Sequence, residues 1–286
     1  MIIQNNEPDY IKIEEDLGFQ MMTIEEKLTL ESNEGNNPFE LHRADFNTMM
    51  LLSDGEMTHK VDFMEYEMVK GDCLFMSKDQ IHKFDQSSTY RGHIIMFTEE
   101  FMLRHFSLSA SSKISSLFNN HLSPSLYQNF GDRHILILAI KRELSLDLGE
   151  IKADVLACIL TAFLLKAQAH KSQNFKTYDA DYQSFMKFQS LVTSNYMHTR
   201  KSREYALILN TTYKQLNMLC KTFTDKTAKE YIDDYVVLQA KRLMTMTKHT
   251  IKQVAYECGF SEPTNFLKFF KKIAGISPSQ FREVDA

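Results

Sequence analysis

The feature that most restricts this chain is an internal repeat near its carboxy-terminal end. Ala206, Asn210, Thr212, Leu216, Leu219, Cys220 and Phe223 recur, at an offset of 49–50, as Ala255, Gly259, Ser261, Phe266, Phe269, Phe270 and Ile273. Each copy reads as helix, tight turn, helix. In the second copy Ile251, Val254, Ala255 and Cys258 share one apolar face at helical spacing. Gly259 then offers a positive φ at low cost, and Asn210, the next most tolerant residue type, takes the matching place in the first copy. Thr212 and Ser261 read as N-caps, Pro263 falls in a first turn, and Ser277-Pro278-Ser279-Gln280 has capping-box spacing. These signals agree, and they predict helices from Tyr182 to the end.

An apolar stripe on each second helix leaves a polar face opposite. In the first copy that face carries Lys214, Gln215, Asn217, Met218 and Lys221; in the second, Thr264, Asn265, Leu267, Lys268, Lys271 and Lys272. Lys, Asn, Gln and Thr are the residue types that read base edges or hold phosphates in a major groove. Two such units joined by one helix, about Lys229 to Thr247, suit neighbouring groove segments. The bland alternative is a helical bundle with a solvated lysine face. Turn residues, caps and repeat together favour DNA.

Charge is divided in the same sense. The first 170 residues hold 15 Lys+Arg against 26 Asp+Glu, a net of −11, whereas the rest hold 18 against 11, a net of +7. An acidic body with a basic end is expected where only the end meets a polyanion.

Composition bounds the rest. With 286 residues the prior is about two domains. Apolar content of 43% and charged content of 24% exclude a wholly disordered chain and a coiled-coil rod. No run approaches the ~20 apolar residues of a membrane span. The opening MIIQNNEPDY lacks the pattern of a secretory signal. Cys73, Cys158, Cys220 and Cys258 are far apart, with no CxxC, and read as reduced thiols in the cytoplasm.

Upstream, short strands are expected at Asn47–Ser53, Val61–Met68, Cys73–Met76 and Arg91–Phe97, with a turn at Ser53–Glu56. Such spacing predicts a sandwich or barrel. Two helices follow between His134 and Gln168, broken near Gly149. Leu156, Ile159, Leu160, Phe163, Leu164 and Ala167 form a stripe on the second. That stripe suits either packing onto the barrel or a dimer seam. The polar stretch after Gln168 reads as a linker.

Ile251-Lys252-Gln253-Val254-Ala255-Tyr256-Glu257-Cys258-Gly259-Phe260, with Phe269-Phe270-Lys271-Lys272, Gly275, Ser277-Pro278 and Phe281-Arg282, resembles the signature of AraC/XylS-type transcriptional regulators. The resemblance covers about Ser184 to Glu283. It implies two helix-turn-helix units on a linker helix, promoter DNA as partner, and RNA polymerase as a further partner if the protein activates. On this basis Thr264, Asn265, Lys268, Lys214, Gln215 and Asn217 are the base-reading candidates, and Lys221, Lys271 and Lys272 the phosphate candidates. The first unit departs from the family pattern: Cys220 replaces Phe, Asp225 replaces Gly, Val236 replaces a linker-helix Arg, and Met218 replaces the more frequent polar or basic residue on the reading face. The departures imply a first unit that reads DNA weakly or mainly through phosphates.

Phe39–Phe46, Glu67–Asp72 and Gln80–Phe84 more loosely resemble the family's cupin-like sensor domain. That implies a small effector, a sugar or other metabolite, with His42 and His82 as its candidate contacts. His42, His59, His82 and His93 contain no HxH pair, so no metal site is expected, nor is any cofactor or catalytic residue.

The expected fold is thus α+β and multidomain. A cupin-like barrel with two helices spans 1–130 and a helical dimerisation segment 131–169. A linker spans 170–182 and an all-α double helix-turn-helix domain 183–286. The expected protein is a cytoplasmic, homodimeric, sequence-specific and effector-responsive regulator, neither an enzyme nor membrane-bound. The competing reading is a cupin enzyme with a helical protein-docking appendage.

Overall fold

The computed structural model describes residues 10–11, 17–33, 37–86, 90–118, 126–131, 133–172 and 180–285. The chain divides into one compact unit within Asp9–Lys176 and another within Thr177–Ala286.

The first unit is built on strands β1 (Tyr10–Ile11), β2 (Phe19–Thr23), β3 (His42–Ala44), β4 (Asn47–Val61), β5 (Met64–Val69), β6 (Cys73–Met76), β7 (Ile81–Lys83), β8 (Tyr90–Phe97) and β9 (Leu126–Tyr127). β4 is the spine. Its first half pairs antiparallel with β8 and β6, with Met50 opposite both Ile94 and Leu74. Its second half pairs with β5, and Val61 meets His82 of β7. β2 adds to β8, β9 to β6, β3 to β7, and β1 runs parallel to β3.

The apolar runs of this sheet are buried on both faces, which explains why they do not alternate with polar residues. Met49, Leu51, Cys73, Phe75, Ile95 and Phe97 point into one cluster, while Met50, Leu52, Leu74, Met76, Ile94 and Met96 point into another. Neighbouring residues take opposite faces because the strand period is two.

One turn and one strand assignment fail. Ser53–Glu56 is no turn: β4 continues through it with a bulge between Leu52 and Asp54, because β8 keeps pairing at Arg91 and Tyr90. The reversal lies instead at Asp62-Phe63, inside the stretch read as one strand. Asp62 tolerates φ of +51° there, and its carboxylate accepts from Gln80 Nε2 at 2.9 Å.

More helices than the expected two accompany the sheet: α1 (Ile24–Asn33), α2 (Glu99–His105), α3 (Leu108–Ile114), α4 (Arg133–Ser145) and α5 (Lys152–Ser172). Sequence had a signal for α1, since Thr23 and Glu26 form a reciprocal capping pair. α5 buries Leu156, Leu160, Phe163, Leu164 and Ala167 in the cluster shared with Phe19, Met49 and Phe97. Each large member is worth roughly 1.5–3 kcal/mol of burial. That stripe is consumed within the chain, so the seam proposed for it is not available to a second copy, and α4 and α5 belong to the sheet unit rather than to a separate segment. The core of the expected linker, 173–179, lies outside the described residues.

The second unit comprises α6 (Ala180–Asn195), α7 (Ser202–Ile208), α8 (Tyr213–Thr224), α9 (Ala228–Met246), α10 (Ile251–Glu257), α11 (Pro263–Ala274) and α12 (Pro278–Asp285). α9 is its axis, contacting α6, α7 and α8 as well as α10, α11 and α12. Ile232, Val236 and Ala240 on α9 are fully buried, as are Phe185 and Phe188 on α6. Val236 therefore fills a core position, where a charged side chain would have to be paired.

Capping boxes open α8 (Thr212 with Gln215), α9 (Thr227 with Glu230) and α10 (Thr250 with Gln253). Ser261 is not a cap. Glu262 occupies that position, without a side-chain cap bond, ahead of Pro263 at the first helical residue. The second turn is one residue longer than the first, so the repeat offset passes from 49 at Asn210/Gly259 to 50 along α8 and α11.

Candidate nucleic-acid interface

Both turns rest on a left-handed residue, Asn210 at φ +51° and Gly259 at φ +77°. The helices that follow the turns, α8 and α11, also end on one, Asp225 at +57° and Gly275 at +78°. Asp225 thus adopts the geometry that glycine would supply more cheaply.

The second turn is pinned from outside the repeat. Arg200 Nη1 donates to the carbonyls of Cys258 (3.3 Å) and Gly259 (3.2 Å). Its guanidinium stacks over Phe260, 3.7 Å from the ring centroid. Arg200 precedes the first copy, so the repeat carries no signal for it. Farther along, Arg282 Nη2 donates to the His249 carbonyl at 2.7 Å and ties α12 to the entry of α10.

Leu216, Cys220, Phe266 and Phe270 are buried, and this points the opposite faces of α8 and α11 outward. Lys214, Gln215, Met218 and Lys221 are exposed on α8, as are Thr264, Asn265, Leu267, Lys268, Lys271 and Lys272 on α11. Thr264 and Asn265 lie in the first turn of α11; in a helix-turn-helix unit docked in a major groove, that is the end that meets base edges. Lys271 and Lys272 lie in its last turn, where cations also favour the helix dipole.

Asn217 differs from its predicted role. It is half-buried, and its Oδ1 accepts from the Ala228 N–H at 3.0 Å, which satisfies an orphan donor at the start of α9. Gln215 is exposed but engaged: its Oε1 accepts from Thr211 Oγ1 and from the Thr212 amide and hydroxyl. Burial pushes the thiols of Cys220 and Cys258 up to about 12, so neither is a reactive group in this unit.

In the sheet unit His42 and His82 face each other across β3 and β7, ring centroids 4.1 Å apart, and His59 lies 5.3 Å from His82. His42 Nδ1 lies 3.0 Å from the Glu40 carbonyl. His59 is fully buried, with neither nitrogen hydrogen-bonded, and burial pushes its imidazole down to about 3. His82 is lowered well below the ordinary range, also by burial. Beside them Lys27 and Glu31, one turn apart on α1, form a buried ion pair at 2.9 Å. Lys27, Glu31, His42, His82 and Phe84 line a cavity of about 10 Å³, room for one water. Sequence missed the Lys27–Glu31 pair, whose only signal was i, i+4 spacing. Among the described residues no three His, Cys, Asp or Glu side chains are grouped to hold a metal, and no helix is long and apolar enough to cross a membrane.

A family model described as a Helix-turn-helix domain matches residues 205–283, which contain both turns and both outward faces. The chain is 21% identical over 268 residues to the HTH-type transcriptional activator RhaR of Mannheimia succiniciproducens, covering 90% of this chain and 92% of that protein. It is 27% identical over 82 residues to the HTH-type transcriptional activator RhaS of Salmonella arizonae, a match that spans 28% of that relative's length. Among solved structures, ToxT from Vibrio cholerae aligns at 17% identity over 93% of this chain and 98% of that chain, with a TM-score of 0.48. With the Gly259-Phe260 turn, the aromatic pair before Lys271 and the matched 205–283 segment on one set of helices, the chain carries a helix-turn-helix domain and is similar to AraC/XylS-type transcriptional regulators.

Proposed function

We propose that the protein binds promoter DNA sequence-specifically through α8 and α11, as a homodimer working in the cytoplasm, and that a small effector governs this binding. The carrying observation is the outward, cation-bearing face at one register on both reading helices, each backed by a buried aromatic or aliphatic stripe. Thr264, Asn265, Lys268, Lys214 and the amino group of Gln215 take base edges; Lys221, Lys271 and Lys272 take phosphates. If the protein activates, RNA polymerase is its second partner.

The sheet unit is read as the cupin-like sensor. Its effector, a sugar or other metabolite, meets His42 and His82 only after that end of the sheet opens, since ~300 Å³ is the lower range for ligand sites. A second copy docks on the apolar side chains that α4, α5 and the turn between them leave outside, Ile135, Leu138, Ile151 and Cys158.

The test is affinity of the full chain for duplexes selected from a random pool, measured across a salt series. Expected is a linear fall of log affinity with log salt, at a slope of about −0.9 per phosphate contacted. No selected duplex, or binding indifferent to salt, overturns the reading.

A further inference from the structure

Matched cap to cap, α8 and α11 correspond residue by residue at an offset of 50. The N-caps Thr212 and Glu262 correspond, as do buried Leu216 and Phe266, buried Cys220 and Phe270, and the left-handed C-caps Asp225 and Gly275. In that register Lys214 matches Thr264, Lys221 matches Lys271, and Met218 matches Lys268. The two units therefore place an ammonium and a thioether at the same position of the outward face.

Met218 is 58% exposed and lies between Lys214 and Lys221 at helical spacing, so it faces whatever those lysines face. No packing role accounts for it, because Leu216, Leu219 and Cys220 already fill the buried side of α8. Its neighbour Asn217 is turned to the start of α9. A thioether side chain offers a phosphate nothing. The one apolar group on the floor of the major groove is the C5-methyl of thymine, whereas an ammonium at the same place favours the O6 and N7 acceptors of guanine.

Resting on the proposed regulator function, we infer that Met218 is a specificity-determining residue that reads a thymine methyl, so the two half-sites differ at the matching base pair. The first unit takes A·T where the second, through Lys268, takes G·C. This adds a base contact to a unit expected to read DNA weakly or mainly through phosphates, and gives the chain one direction along its operator.

The experiment uses the full chain and the duplex it selects from a random pool. Each thymine is replaced singly by deoxyuridine, which removes only the methyl. Expected is one thymine, in the half bound by the first unit, whose replacement weakens binding roughly fourfold, the factor for one buried methyl. In Met218→Ala that replacement has no effect, while the unfolding midpoint matches the wild type. Met218→Lys, put through the same selection, is expected to take G·C at that pair. A flat deoxyuridine scan, full methyl sensitivity in Met218→Ala, or an unchanged base choice by Met218→Lys overturns the inference while leaving the regulator reading intact. Failure to select any duplex overturns the regulator reading itself.

Discussion

Gly259 packs its Cα against the backbone of Met197, so closely that a Cβ would lie 1.9 Å from the Met197 carbonyl oxygen. Two demands coincide there: a positive φ and the absence of a side chain. Gly259→Ala is expected to destabilise the second unit by about 3 kcal/mol or more, combining left-handed strain with a backbone clash. Asn210→Gly, at the matching turn, should change stability by under about 1 kcal/mol. Chemical denaturation of both variants checks the contrast, and equal effects would show that the Met197 contact is unimportant.

Arg200 is the clamp on the same turn. Arg200→Ala removes two charge-assisted bonds and a stacked ring, and a loss of about 1.5–3 kcal/mol is expected. Arg200→Lys should recover little, because an ammonium lacks the plane that covers Phe260. The readout is the unfolding free energy alongside affinity for the selected duplex. Full recovery by lysine would reduce the role of Arg200 to charge alone.

The roles proposed for Lys268 and Lys271 separate base reading from phosphate holding. Lys268→Ala should cost about 1–3 kcal/mol and relax preference at one base pair. Lys271→Ala should weaken all duplexes alike and make the salt slope shallower by about one. Competition binding with single-base variants distinguishes them, and identical profiles would refute the division of labour.

Asn217→Ala tests the reassignment of that residue. Losing its bond to the Ala228 amide should lower stability by about 1 kcal/mol, the usual value of a helix cap, without altering base preference. A changed preference at unchanged stability would return Asn217 to the groove.

Buried histidines set the response to acid. His59 is held neutral, with its imidazole lowered to about 3, and His82 is lowered as well. In the unfolded chain both titrate near ~6.5. Between those limits the unfolded state binds more protons, so stability is present above ~6.5 and is lost as pH falls toward 3. Each histidine contributes a slope of up to about 1.4 kcal/mol per pH unit. His59→Phe should flatten that dependence, as followed by denaturation of the full chain from pH 7 to pH 4. A slope unchanged by the substitution would show that other groups carry it.

Legibility followed the range of the interactions. The helices of the second unit, its two turns and its outward lysines were readable because caps, turn residues and apolar stripes are local signals repeated twice. Ser261 misled because the offset changes by one residue inside the turn. In the sheet unit Met49–Leu52 read as a strand, yet the bulge at Leu52/Asp54 did not, since continuous pairing with β8 is a property of two strands together. The stripe on α5 was visible, but not its destination among Phe19, Met49 and Phe97.

By itself the sequence determined which segments are helices in the second unit, where they turn, and which face of each carries charge, since backbone propensity and residue period act over a few neighbours. Tertiary structure alone decided that Asn217 turns to Ala228, that Arg200 covers Phe260, that Met197 closes on Gly259, and that Lys27, Glu31 and three histidines share one end of the sheet. Most of those contacts join residues far apart along the chain, and even the nearer ones depend on how whole helices and strands pack. No local pattern carries that packing information.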